Sequence, residues 1–135
     1  MTIKFIATLA MGNPVEGPCL VASDGFSARY DLDRVTGKFS RPAHKLFGHD
    51  YRDKILILDT AKGGVATAWM LFEMKSRGVY PAAIVLNTVN PILAQGAAMA
   101  DIPLMAGFDC DITASIASGS VVRLNPPEKS LTLIT

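Results

Sequence analysis

The stretch Lys54-Ile-Leu-Ile-Leu-Asp-Thr-Ala-Lys-Gly-Gly-Val-Ala-Thr-Ala-Trp69 decides the fold. It opens with four consecutive branched apolar residues, Ile55 to Leu58, between Lys54 and Asp59. A strand with one wet face alternates apolar and polar residues. An unbroken apolar run instead predicts a strand buried on both faces, in the middle of a sheet. From Val65 to Arg77 the chain is apolar, Ala-rich and made of good helix formers, and Gly78 stands where a helix C′ glycine is expected, with Pro81 beyond. The turn Thr60-Ala-Lys-Gly-Gly64 joins the two, so the stretch reads as strand, glycine turn, helix.

Reading on from there, Ala82-Ala-Ile-Val-Leu86 is a second buried strand, and Asn87-Thr-Val-Asn90 reads as a loop. Asn90 suits a helix cap and Pro91 the first helical position, which predicts a helix to about Ala100. Asp101-Ile-Pro103 ends it and feeds a short strand, Leu104 to Ala106. Strand, helix, strand, helix, strand over 54–106 predicts parallel pairing through right-handed crossovers. The flanks read as strand: Ile3 to Leu9, Pro18 to Ser23, and a terminal hairpin of Ser120 to Leu124 and Leu131 to Ile134 around Asn125-Pro-Pro127. Phe26 to Asp33 reads as extended. Asp33 to Gly37 is a turn with Gly37 at positive φ, and Phe39 to Tyr51 is a loop carrying His44 and His49. The expectation is one α/β domain over 1–135, a mixed β/β/α unit with one compact layer of helices.

The 135 residues suit a single domain, with 50% hydrophobic and 19% charged residues and a net charge of +1. Such a balance gives no basis for a nucleic-acid or anionic-membrane partner, which needs clustered cations. The basic residues between Lys38 and Lys45 read as a solvated loop. The mean hydropathy of +0.30 fits either a surface covered by a partner or a core of small residues. Cys19 and Cys110 lack CxxC spacing and a nearby His, so zinc is unsupported. No apolar run approaches the ~18 residues of a membrane span, no signal peptide is visible, and the expected compartment is the cytoplasm.

The glycine turn is the most informative chemical feature. Gly63 and Gly64 leave backbone N–H groups open at a helix start, the helix dipole favours an anion there, and Lys62 adds a full charge. The turn suits a carboxylate or a phosphate, although it lacks the P-loop pattern and a Gly-Gly turn also serves as plain structure. His44 and His49 read as surface loop residues or as groups approaching a site. Trp69 and Met70 read as core.

The segment from about Val15 to Phe108 resembles the aconitase X swivel domain, the small-subunit family. The resemblance is carried by Val15-Glu-Gly17, then Asp33, Thr36-Gly37, His44 and Gly48. After them come Lys54 to Leu58 with the glycine turn, Gly78, Pro81-Ala-Ala-Ile-Val85, Pro91-Ile-Leu-Ala94, Gly96-Ala97 and Ala100-Asp-Ile-Pro103. It implies a swivelling β/β/α domain with a small barrel-like mixed sheet and two main helices, packed over the cleft of a large catalytic subunit. It implies a hydro-lyase that dehydrates a small hydroxy acid, of the type of cis-3-hydroxy-L-proline in bacteria or phosphomevalonate in archaea. Any iron–sulfur cluster would belong to the large subunit, with no cofactor or metal in this chain.

Against that family the turn departs. Where the family typically reads Gly-Arg-Gly-Ser, with the serine expected as a base, this chain reads Ala61-Lys62-Gly63-Gly64. Upstream, an aromatic-Gly-Gly stretch of the family appears as Arg29-Tyr30-Asp31. The resemblance therefore implies Lys62, Gly63, Gly64 and Thr67 as substrate-binding residues. The base comes from Thr67, the first hydroxyl inside the helix, from His44, or from the large subunit. A non-catalytic paralogue that binds a small acid or regulates a partner subunit is the alternative.

Overall fold

The computed structural model describes residues 3–27, 31–61 and 65–134, with 65–67 described in backbone only. The strand at the centre of the sequence reading is β4, Ile55–Thr60, and Ile55 to Leu58 are fully buried. Its central place in the sheet follows from its neighbours. β3 (Val15–Val21) lies parallel on one side, and β5 (Ala83–Thr88) lies parallel on the other, with Ile55 opposite Ala83 and Thr60 opposite Thr88. β6 (Leu104–Ala106) continues the parallel set beyond β5.

The helix α1 spans Val65–Arg77, as read from the sequence, and Gly78 follows at φ +74°. The helix α2 spans Pro91–Met99, capped by Asn90, whose side-chain oxygen accepts from the Leu93 amide at 2.8 Å. This satisfies one of the N–H groups a helix start leaves open. The two helices cross so closely that a Cβ on Gly96 would stand 2.7 Å from the Ala68 Cα.

The flanking strands differ in detail from the sequence reading. Ile3 to Leu9 is two strands, β1 (Ile3–Ile6) and β2 (Leu9–Met11). Between them the amide of Ala7 donates to the Lys129 carbonyl and that of Thr8 to the Gly107 carbonyl, so the chain turns a corner from one partner to another. β3 starts earlier than expected. Its first half pairs antiparallel with β7 (Val121–Asn125) up to Pro18, and its second half pairs with β4 from Cys19. Proline is normally kept out of central strands because it lacks an N–H. Here it sits where the strand changes neighbours. β8 (Ser130–Leu133) completes the predicted terminal hairpin.

The strand order is β1-β8-β7-β3-β4-β5-β6-β2. Its outermost members, β1 and β2, are joined by only Ala7 and Thr8, which closes the sheet into the expected small barrel. Strand alternation then divides the core. Ile55, Ile57, Val85, Met105, Cys19 and Leu124 face the barrel interior, where Ile112 and Ile116 also pack. Leu56, Leu58, Ile84 and Leu86 face outward beneath Leu71, Met74, Leu93 and Ala97 of the helices. Truncating one such leucine to alanine costs about 2–5 kcal/mol.

Candidate functional site

Ligands of parallel α/β sheets bind beyond the carboxyl ends of the strands. Here those ends belong to β3, β4, β5 and β6, and both long helices begin at them. Lys62, Gly63 and Gly64, read from the sequence as a turn between β4 and α1, lie outside the described residues, as do 28–30 of the Phe26 to Asp33 stretch. Thr67 is the third residue of α1 in its backbone. What the structure does describe is the frame on either side of the turn.

The first part of that frame is a pair of threonines. Thr88 donates its hydroxyl to the Thr60 hydroxyl at 2.7 Å across the ends of β5 and β4. By strand alternation both face the helix side of the sheet, continuing the rows of Leu56, Leu58 and of Ile84, Leu86. Thr60 stands two positions before Lys62 in the chain. The pair uses one hydroxyl hydrogen internally and leaves a second donor, on Thr60, for a ligand.

On the opposite face Asn87 is clamped between two carboxylates. Its amide nitrogen donates to Asp59 at 2.9 Å and to Asp111 at 2.8 Å, and its oxygen accepts from the Ile112 amide at 2.8 Å. Asp111 caps the short helix α3 (Ile112–Ser115), which sequence reading missed. The Thr113 hydroxyl and the Asn87 amide hold the Asp111 carboxyl below its ordinary value. Thr88 and Asn87, read as loop, are the last residues of β5. Their polarity hid the strand, and only pairing with Thr60 and its neighbours extends it.

His44 is not on an open loop. Its side chain is fully buried, its ring lies 4.7 Å from the Phe39 ring, and both nitrogens are engaged. Nδ1 accepts from the Leu46 amide at 3.0 Å, which leaves the hydrogen on Nε2 to donate to the Gly25 carbonyl at 2.9 Å. In this arrangement neither nitrogen is open to a reacting molecule. His44, one of three candidates for the base, is thus an enclosed histidine rather than a surface loop residue, while His49 is exposed.

In the loop around His44, Lys38 and Lys45 are exposed, as the sequence suggested, and two of the cations are engaged. Arg41 pairs with Asp31, and Lys45 donates to the Ser23 hydroxyl at 2.7 Å. Asp31 is buried, and it accepts the Ser27 amide at 3.0 Å. Burial acts to raise the Asp24 carboxyl, but the Lys45 and Gly25 amides, with His44 and Arg41 nearby, outweigh it and hold it below its ordinary value.

A second correction concerns Trp69, expected in the core. Leu71 and Met74 fill the core-facing stripe of α1, so Trp69 points out and is 62% exposed. With Phe72 (48%), Ile92 (44%) and Met99 (65%) it lines an apolar groove of about 500 Å³ between α1 and α2. Met70 is half-buried.

Cys19 is buried and burial pushes its thiol up, whereas Cys110 is exposed, and both are free. Among the described residues no three His, Cys, Asp or Glu side chains gather as a metal donor set. No helix among them is long and apolar enough to cross a membrane.

A family profile described as the aconitase X swivel domain matches residues 4–133. The chain is 35% identical over 116 residues to the phosphomevalonate dehydratase small subunit of Methanopyrus kandleri, covering 86% of each chain. It is 31% identical over 125 residues to the subunit of the same name from Methanococcoides burtonii, covering 93% of this chain and 91% of that one. Among solved structures, the crystal structure of Thermococcus kodakaraensis aconitase X in its holo-form superposes with a TM-score of 0.90 at 23% identity, over 98% of this chain and 99% of that chain.

Proposed function

The chain belongs to the aconitase X swivel-domain family, with the fold and extent of a dehydratase small subunit, and we propose that it acts on phosphomevalonate or a closely related hydroxy acid together with a separate large catalytic subunit. The observation that carries the reading is the near end-to-end match to small subunits named for that reaction. The exposed apolar groove of Trp69, Phe72, Ile92 and Met99 supports a partner, since apolar patches of this kind mark interfaces. A large subunit seated over the start of α1 covers it.

Dehydration removes a hydroxyl from one carbon and a proton from its neighbour, forming a C=C bond and releasing water. The small subunit's part is to hold the substrate's anionic groups. Lys62 supplies charge, and the Gly63 and Gly64 amides supply donors at the start of α1. Thr60, polarised by the hydroxyl it receives from Thr88, supplies a further donor beside the turn. Gly64 has no side chain and His44 is enclosed, so the proton-abstracting base belongs to the large subunit, with Thr67 the remaining hydroxyl in this chain. Any iron–sulfur cluster belongs there too. The compartment proposed is the cytoplasm.

The test is co-expression with a large-subunit candidate, followed by mass detection of water loss over a panel containing phosphomevalonate and cis-3-hydroxy-L-proline. Turnover of phosphomevalonate supports the reading, and turnover of only another acid redirects the substrate. The glycine at position 64 favours a second reading, a partner subunit that binds the acid without turning it over. Complex formation and acid binding with no turnover across the panel would select it.

A further inference from the structure

We infer that Asn87 is a positioning residue for the Thr60 hydroxyl: it holds the strand end that carries this donor and keeps no donor of its own for a ligand. The inference rests on the proposed part of Thr60 in holding the substrate.

β4 and β5 change character at their last two residues. Up to that point the register runs through Ile57–Val85 and Leu58–Leu86, all fully buried, and core packing holds both strands. Beyond it Asp59 and Thr88 are exposed and Thr60 and Asn87 half-buried. A polar strand end outside the core opens readily unless side chains tie it. The Thr60–Thr88 hydroxyl pair is one tie, on the helix side of the sheet. A ligand bonded to Thr60 engages that same pair, so a second tie, on the other face, sets where the hydroxyl stands.

Asn87 is that tie. Strand alternation puts its side chain on the barrel face, opposite to that of Thr88. Its amide nitrogen donates to Asp59 at 2.9 Å and to Asp111 at 2.8 Å, which uses both hydrogens, and its oxygen accepts the Ile112 amide at 2.8 Å. Its main-chain carbonyl accepts the Gly107 amide at 3.1 Å. One residue thus joins the end of β4, the exit of β6 and the start of α3. Ile112 and Ile116 in turn are buried in the barrel interior. The tie therefore runs from Asp59, the neighbour of Thr60, through Asn87 into the barrel core. Charge explains the choice of asparagine, a residue depleted in strands. Two carboxylates that share one nitrogen stand close together, and like charges repel. The amide gives each a hydrogen, where an apolar side chain would leave them facing each other unbridged.

Two measurements test this. In the isolated chain, hydrogen exchange is followed at the Phe26 amide, which donates to the Thr60 carbonyl at 2.9 Å. The controls are the Ala22 and Ile84 amides, which donate to the Ile57 and Pro103 carbonyls. For Asn87→Leu the Phe26 amide should lose roughly tenfold or more of its protection while the controls keep theirs, as local opening requires. Asn87→Asp, which adds a third carboxylate, should lose at least as much. Adding Asp111→Asn to Asn87→Leu removes one of the two facing charges, keeps a good cap for α3, and should recover part of the protection. In the reconstituted complex, with phosphomevalonate as probe, Asn87→Leu should raise KM about tenfold with a smaller change in kcat, and the double variant should bring it partly back. Equal loss of protection at all three amides, an unchanged KM, or a double variant no better than Asn87→Leu overturns the assignment. If Asn87→Leu does not fold, Asp59→Ala cuts the same tie at β4 alone and must give the selective loss at Phe26. A wild-type complex that turns over no hydroxy acid defeats the functional reading, and the exchange measurement still decides whether Asn87 holds the end of β4.

Discussion

Thr88 and Thr60 share a hydrogen bond of 2.7 Å between hydroxyls at the carboxyl ends of neighbouring parallel strands. A cross-strand threonine pair on its own is worth roughly 0.2–1 kcal/mol of stability. A pair that also serves substrate must show in kinetics beyond that. Thr60→Val in the reconstituted complex is expected to raise KM for phosphomevalonate about tenfold, while the thermal midpoint falls by only the amount the sheet bond explains. Thr88→Val should act in the same direction and more weakly, because it removes only the group that polarises Thr60. An unchanged KM for Thr60→Val would confine the pair to the sheet.

The crossing of α1 and α2 depends on Gly96. A methyl there meets the Ala68 Cα at 2.7 Å, and that atom is backbone with no rotamer to move aside. Gly96→Ala is expected to destabilise by about 1–3 kcal/mol, as overpacking does, despite the better helix propensity of alanine. Chemical denaturation of the purified chain checks this. A midpoint equal to or above wild type would mean that the helices are free to part.

The groove between the helices should matter to assembly and little to folding. Trp69→Glu places a charge on an exposed position, so the far-ultraviolet spectrum and thermal midpoint should stay near wild type. Affinity for the large subunit should fall at least about tenfold. Titration calorimetry or analytical ultracentrifugation reads the difference, and retained affinity would move the interface elsewhere.

Tyr51 sets an alkaline limit on the fold. Its ring is fully buried, its hydroxyl donates to the Asp33 carbonyl at 2.6 Å, and burial pushes its pKa up to about 12, with Asp33 and Asp50 adding to the effect. The folded value lies above the ordinary 10.0. The contribution is therefore complete below pH 10 and is lost as pH rises through 12. Wild type should lose stability progressively above pH 10, whereas Tyr51→Phe should show a flatter alkaline limb. At neutral pH that variant should be weaker by about 1 kcal/mol for the lost hydrogen bond. Urea midpoints measured from pH 8 to pH 12 separate the two effects.

Local signals in the sequence carried the centre of the fold. Ile55 to Leu58, Gly78, and the Asn90-Pro91 pair each announce an element through chemistry confined to a few residues, and each element starts or stops where that chemistry places it. Partners distant in the chain govern the features that were missed. Ile3 to Leu9 looks like one strand because nothing local records that Ala7 bonds to Lys129 and Thr8 to Gly107. His44 looked like a surface residue because its acceptor, Gly25, lies 19 positions away. Trp69 looked like core because apolar character says how much a side chain gains from burial and nothing of whether room remains beneath the helix. Of the candidate site, the reading of the glycine turn falls outside the described residues, and the frame beside it was not legible. Asn87 and Thr88 are polar residues that become strand only beside Asp59 and Thr60.

The corner at Ala7 and Thr8 bears on how the molecule is made. β1 pairs with β8, Ile3 opposite Leu133, so a strand made early in synthesis waits for one made much later. Until Ser130–Leu133 has emerged, β1 has no hydrogen-bonding partner and β7 has only one. The parallel core can form during synthesis, but the seam closes only after it. The nascent chain is thus exposed longest along an open strand edge, the kind of surface most prone to pairing with another chain.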